Sequence, residues 1–143
     1  MKNLTIILLL LTGLCTAKAQ TQSADRGIMM LAEFYKTYIS VSSDREIDLN
    51  VMEAKLAALK RRYCTEACQK QIVKLTTETD ADPIIKAQDS YKELLKTLVI
   101  KKDNKNPKRY LVTYVDIAGS RYKTTIYVTL AAQNKNLKIA YLE

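Results

Sequence analysis

The chain has 143 residues, a formal net charge of +8, nine tyrosines, three cysteines, and neither histidine nor tryptophan. That length fits one domain with a core of its own. The lack of histidine excludes Ser-His and Cys-His nucleophilic centres and histidine-bound zinc, and Gly13, Gly27 and Gly119 are too scattered to form a phosphate-cradling loop.

Met1-Lys2-Asn3 is a short basic start, Leu4 to Leu14 an almost unbroken apolar run, and Ala17-Lys18-Ala19 a small-x-small cleavage site. This is the layout of a secretory signal peptide over residues 1–19, cleaved after Ala19. The apolar run falls short of the roughly 20 residues needed to span a bilayer. Leu14, just before Cys15, is larger than lipoprotein processing accepts. Neither a stable membrane span nor a lipid anchor at Cys15 is therefore expected. The expected product is one exported domain, residues 20–143, periplasmic or at the cell surface. It stays basic after losing Lys2 and Lys18, which favours acidic partners. Nucleic acid is not expected, since no reader motif is present.

From Ile28 onward, Ile28, Leu31, Tyr35 and Ile39 recur at helical spacing, with Phe34 and Tyr38 widening the apolar stripe. Ser40-Val41-Ser42-Ser43 marks the end of this first helix, and Ser43 with Glu46 has the spacing of a capping box for a second. That helix carries Leu49, Met52, Leu56, Leu59 and Tyr63 on one face, with Lys60, Arg61 and Arg62 at its C-terminal end, where cations suit the helix dipole. A third helix is expected from Thr65-Glu66 through Cys68, Ile72 and Leu75. Cys64 and Cys68 read as a disulfide in an exported protein, at a helix start or break where the backbone can adjust. Paired free thiols are the alternative. Pro83 disfavours helix at Asp82, so Thr76 to Ser90 is expected to be an ordered loop with one helical turn at Ile84 to Ala87.

The remainder is strand-like. Leu94 to Lys101 forms one strand, followed by the turn-rich Asp103-Asn104-Lys105-Asn106-Pro107. Tyr110 to Ile117 and Tyr122 to Leu130 flank a Gly119-Ser120 turn, the pattern of an antiparallel hairpin. Tyr122, Thr124, Ile126, Val128 and Leu130 share one face, and Lys123, Thr125, Tyr127 and Thr129 the other, so one face is covered and one wet. After Asn134-Lys135-Asn136, Leu137, Ile139 and Tyr141 alternate inward along a last strand. Helices followed by strands imply an α+β domain, with three N-terminal helices packed on a four-stranded antiparallel meander.

An exported start, Phe34-Tyr35-Lys36-x-Tyr38, the Tyr63-Cys64-Thr65 step, and Asp80-x-Asp82-Pro83 with Ala87-Gln88-Asp89 ahead of a meander together resemble the bacterial domain-of-unknown-function family 3828. The resemblance covers nearly all of the expected mature chain; its most specific piece is the Asp-Pro to Gln-Asp segment. It implies a cystatin-like fold of the nuclear-transport-factor-2 type, in which helices pack into the concave face of a curved sheet and leave a pocket. The family has no assigned activity. Some similarly built exported proteins inhibit cell-wall-degrading toxins, a likeness of fold alone.

Three groups of residues are candidates for function. Asp80, Asp82 and Asp89, with Gln88, form a dense set of oxygen donors. They lack EF-hand spacing, and no signal marks the two opposed environments a glycosidase pair requires. The expected role is capping of turns, with no metal, no cofactor and no catalytic residue. Tyr35, Tyr38, Tyr91, Tyr110 and Tyr114, beside Asp82, Gln88 and Asp89, are candidates to line a pocket mouth or partner site; core edges and cross-strand pairs are the alternative. Lys101, Lys102, Lys105, Lys108 and Arg109 form a basic patch suited to an anionic surface, or a solvated turn that discourages aggregation. The functional expectation is a secreted, non-catalytic binding domain whose partner is another envelope protein, an inhibitor of an envelope enzyme being the concrete version. Small-ligand capture in the pocket and a carboxylate-based hydrolase are the alternatives.

Overall fold

The computed structural model describes residues 25–117 and 121–143. The expected signal peptide and the Gly119-Ser120 turn lie outside them. Along the described chain run α1 (Arg26–Ser42), α2 (Leu49–Tyr63), α3 (Glu66–Thr79), the single turn α4 (Leu94–Thr97), and strands β1 (Val99–Lys102), β2 (Arg109–Val115), β3 (Lys123–Gln133) and β4 (Asn136–Leu142). The strands pair antiparallel in the order β1-β2-β3-β4. The α+β arrangement expected from the sequence, three helices and a four-stranded meander, is the one the chain adopts.

α1 is the central helix. Asp25 caps it by accepting hydrogen bonds from the N–H groups of Gly27 (2.8 Å) and Ile28 (3.2 Å), two of the donors a helix start leaves unpaired. Its apolar stripe buries Leu31, Phe34, Tyr35, Tyr38 and Ile39. The Phe34 ring meets Tyr35 edge-on at 5.3 Å and lies 5.6 Å from Tyr63 of α2. Full burial of side chains of this size contributes about 1.5–3 kcal/mol each.

α2 begins later than the Ser43/Glu46 spacing implies. Its cap is Asp48, whose carboxylate accepts from Asn50 and Val51 N–H, while Ser43 closes α1 by donating its N–H to the Ile39 carbonyl at 3.0 Å. A carboxylate at Asp48 and a serine at Ser43 both satisfy cap chemistry, and sequence spacing alone does not rank them. α2 buries only Tyr63; Met52, Leu56 and Leu59 are half-buried, and Leu49 is 60% exposed. α3 starts as expected, with the Thr65 hydroxyl accepting from Cys68 N–H at 3.2 Å. It ends at Asp80, which takes the left-handed conformation (φ 51°) that closes many helices. Asp82 then folds the following segment into a tight turn rather than a helical one. Its N–H donates to Ala87 O at 3.0 Å, its carboxylate accepts from Ile84 N–H at 2.9 Å, and Pro83, Ile84 and Ile85 plug the core.

Two strand expectations change. Leu94, expected to open a strand, instead docks in the core from α4, and β1 starts at Val99. A short apolar run does not distinguish one helical turn from a strand. In β4, Thr129 faces Tyr141 but Leu130 faces Ile139, so Ala140 is an extra residue and the strand is bulged there. The bulge shifts the alternation by one: Ile139 and Leu142 point inward, and Tyr141 turns out. In β3, Ile126, Val128 and Leu130 are buried as expected, whereas Tyr122 precedes the strand and is exposed.

The two borders of the sheet differ. The outer border of β4 is occupied at Ile139 and Leu142. Thr65 N–H donates to Ile139 O (2.8 Å), and the Gln71 amide donates to Leu142 O (2.7 Å) and accepts from Leu142 N–H (3.1 Å). Lys138 Nζ donates to the carbonyls of Arg61 (3.3 Å) and Arg62. At β1, the Asp103 N–H bond to Arg109 O (2.9 Å) sets the phase of the ladder with β2. Val99 and Lys101 therefore direct their backbone groups at β2, and Ile100 and Lys102 direct theirs outward. No hydrogen-bond partner for those outward groups is found among the described residues.

Candidate functional site

The tyrosines expected at a pocket mouth are core residues. Tyr35, Tyr38, Tyr110 and Tyr114 are 1%, 4%, 5% and 3% exposed and fill the space between α1 and the sheet. The Tyr38 hydroxyl donates to Asp82 Oδ2 (2.7 Å), the Tyr110 hydroxyl to Asp25 Oδ1 (2.9 Å), and the Tyr114 hydroxyl to the Ile85 carbonyl. The Tyr35 hydroxyl is buried without a partner among the described residues. Burial, reinforced by the Asp82 carboxylate, pushes the Tyr38 phenol far above its ordinary range. Burial and the Asp25 bond push Tyr110 up to about 12. These hydroxyls are kept protonated as donors that fix the core. Tyr91 lies apart: it is exposed, with its hydroxyl 3.4 Å from Asp89.

The oxygen donors are likewise dispersed. Asp80 ends α3, Asp82 is tied up by Tyr38 and Ile84, and Asp89 forms an exposed ion pair with Arg45 at 3.7 Å. Gln88 is exposed. Among the described residues no group of three or more carboxylates or thiols is placed to hold a metal ion. Burial raises Asp82 against the hydrogen bonds from Tyr38 and Ile84 and the charge of Lys60. The capping role read from the sequence is the one Asp82 performs.

Cys64 and Cys68 are free, buried thiols, so the structure takes the alternative to the expected disulfide. Cys64 ends α2 in extended conformation, and Cys68 is packed in the first turn of α3 with its N–H held by Thr65. In that geometry the sulfurs meet by hydrogen bonding. This bond, together with burial, pushes the Cys64 thiol up.

The basic patch divides between the two sides of the sheet. Lys102 folds toward the helices, with its Nζ 3.3 Å from Asp25 and 5.9 Å from the Tyr110 ring centre. Arg109 lies on the open side, where its guanidinium bonds Asp103 (2.6 Å) and covers the Tyr127 ring at 5.0 Å. Lys101, Lys105 and Lys108 are exposed.

Several concavities remain. A cleft of about 460 Å³ between α1, α2 and β4 holds Arg26, Arg62 and Lys138. There Glu33 lies 3.6 Å from Arg62, and Lys138 is spent on backbone carbonyls. A second, of about 440 Å³, lies between α3, the Asp82 turn and Tyr141, with Asp82 already bonded. The third is a groove of about 350 Å³ on the open face of the sheet. It is lined by Val99, Leu111, Thr113 and Val115, by Lys101 and Lys123, and by no acidic residue. Apolar surface, cations with no ion-pair partner among the described residues and the adjoining outer border of β1 coincide there, and this groove is the candidate site. Its register explains the grouping: Val99 faces Thr113 and Lys101 faces Leu111, all on the side away from α1. Of its residues, only Lys101 belongs to the patch visible in the sequence. Lys123 is brought alongside by the β2–β3 pairing of Val115 with Lys123.

The protein is thus an α+β domain of three helices on one face of a four-stranded antiparallel sheet. No family model matches the chain, and no curated protein matches it. Among solved structures it is similar to a protein of unknown function from Bacteroides thetaiotaomicron VPI-5482, with 29% sequence identity and a TM-score of 0.69 over 81% of this chain and 87% of that chain.

Proposed function

We propose that this chain is an exported binding module, periplasmic or at the cell surface, whose partner is another envelope protein and which works through the open face of its sheet. The observation that carries the reading is the groove of Val99, Leu111 and Val115 flanked by Lys101 and Lys123 with no acid in its lining. Apolar residues there reward burial, and cations unpaired among the described residues select an acidic partner and speed its encounter. Inhibition of an envelope enzyme is the concrete form of this role. Export is supported by the three-part pattern of residues 1–19. Membership of family 3828, with its cystatin-like fold, is supported by the Asp82-Pro83 to Gln88-Asp89 segment and by the helix-then-meander order. Small-ligand capture draws less support, because Tyr35, Tyr38, Tyr110 and Tyr114 occupy the space a central pocket would need. A carboxylate-based hydrolase draws least, since Asp82 is committed to Tyr38 and Ile84.

The test is selection of displayed random peptides on the immobilised protein and on its Lys101→Glu/Lys123→Glu variant. The expected result is enrichment of sequences mixing acidic with β-branched residues on the native protein and their loss on the variant. Equal enrichment on both, or none on either, would overturn the reading.

A further inference from the structure

We infer that the partner docks by adding an extended acidic strand to the outer border of β1, becoming a fifth strand of the sheet. The inference rests on the binding reading above and specifies how that site is used. The outward N–H and C=O groups of Ile100 and Lys102 lack hydrogen-bond partners among the described residues, whereas on the outer border of β4 the Ile139 carbonyl is taken by Thr65 and both backbone groups of Leu142 by Gln71. An unpaired border is a template for another strand, and natural proteins commonly guard it with lysine. Here that guard is incomplete. The Lys102 side chain is drawn under the sheet to Asp25 and the Tyr110 ring. Lys101 points to the open face and lines the groove.

Charge decides the occupant. Symmetric antiparallel pairing of two copies through β1 would set Lys101 against Lys101 or, in the next register, Lys102 against Lys102, and like charges across strands destabilise. A segment alternating valine-like and acidic residues meets no such opposition. Its apolar side chains would lie beside Ile100 on the helix side, and its carboxylates would reach Lys101 on the open side.

The test uses the full chain, isotope-labelled, and a capped peptide of strand length alternating valine and glutamate, with a valine–lysine peptide as control. Two further versions of the acidic peptide are N-methylated on alternate backbone nitrogens: one set faces β1, the other faces away. The expected outcome is that the acidic peptide binds and slows exchange of the Ile100 and Lys102 amides. Methylation of the β1-facing nitrogens weakens it about tenfold or more, while methylation of the other set changes affinity less than about twofold. Equal binding of both methylated peptides would overturn strand addition and leave the face reading standing. Failure of the acidic peptide to bind, or equal binding of the lysine control, would overturn both. Concentration-dependent dimers that protect Ile100 and Lys102 without peptide would overturn the choice of occupant.

Discussion

The Tyr110 hydroxyl donates a 2.9 Å hydrogen bond to the Asp25 carboxylate across a sequence separation of 85 residues. The same carboxylate caps α1 through Gly27 and Ile28 and pairs with Lys102. One side chain thus ties the start of the first helix to two strands of the sheet. Replacement of Asp25 by Ala removes a cap and leaves a buried phenol without its acceptor, at an expected cost of about 2–3 kcal/mol. Tyr110→Phe should cost about 1 kcal/mol, and a double-mutant cycle read by urea unfolding should return a coupling of similar size. Burial pulls the Asp25 carboxyl upward, but its hydrogen bonds from Tyr110, Ile28, Lys102 and Gly27 outweigh that and hold it below its ordinary 3.8. Its folded value being depressed, this stabilisation is present above pH 3.8 and is lost as pH falls through the folded value. A pH series on Asp25→Ala should therefore lose part of the native acid limb.

Gly27 is held by sterics. A Cβ there would collide with the hydroxyl end of Tyr110, although alanine is the better helix former. Gly27→Ala should destabilise by about 1–3 kcal/mol, and Tyr110→Phe in the same chain should recover part of the loss. A gain in stability on Gly27→Ala would contradict the packing described.

Asp82 has the opposite pH sign to Asp25. Burial raises its folded value above 3.8, so the unfolded chain ionises first and stability falls as pH climbs from 3.8 through the folded value. In Asp82→Asn this dependence disappears. Thermal unfolding at several pH values should show the variant gaining relative to the native chain as pH rises from 3.8 through the folded value. A difference that stays constant as pH rises above 3.8 would contradict the buried setting of the carboxyl.

Gln71 imitates a neighbouring strand by bonding both backbone groups of Leu142. Gln71→Ala should cost about 1–2 kcal/mol from the two hydrogen bonds lost. It should also raise the tendency to aggregate, measured by light scattering, because it uncovers a border. Gln71→Glu keeps an acceptor but no donor and should fall between the two.

The helices and the meander were readable because α1 repeats its apolar residues at Leu31, Tyr35 and Ile39 and β3 alternates through Ile126, Val128 and Leu130. The errors have local physical causes. The bulge at Ala140 leaves no trace in composition, so simple alternation points Tyr141 inward although it faces out. Leu94 and Leu95 fit either period, which hid α4. The tyrosines read as pocket walls because a phenol suits an interface and a core equally. The deciding fact is whether its hydroxyl finds a partner inside, as Tyr38 does in Asp82 and Tyr110 in Asp25. Asp25 itself stands as an acid directly before an apolar helical run, a signal that goes unused in the sequence reading above. Its bonds to Tyr110 and Lys102 belong to tertiary structure. The groove needed Lys123 beside Val115, a pairing that depends on strand register.

The unequal borders of the sheet carry one more consequence. Endless edge-to-edge stacking requires each molecule to offer two compatible docking sides, so that every addition regenerates the site it used. Here Thr65 and Gln71 stopper one side. A visitor at Ile100 and Lys102 therefore meets a dead end, and growth through this sheet terminates after a single step instead of propagating into a fibre.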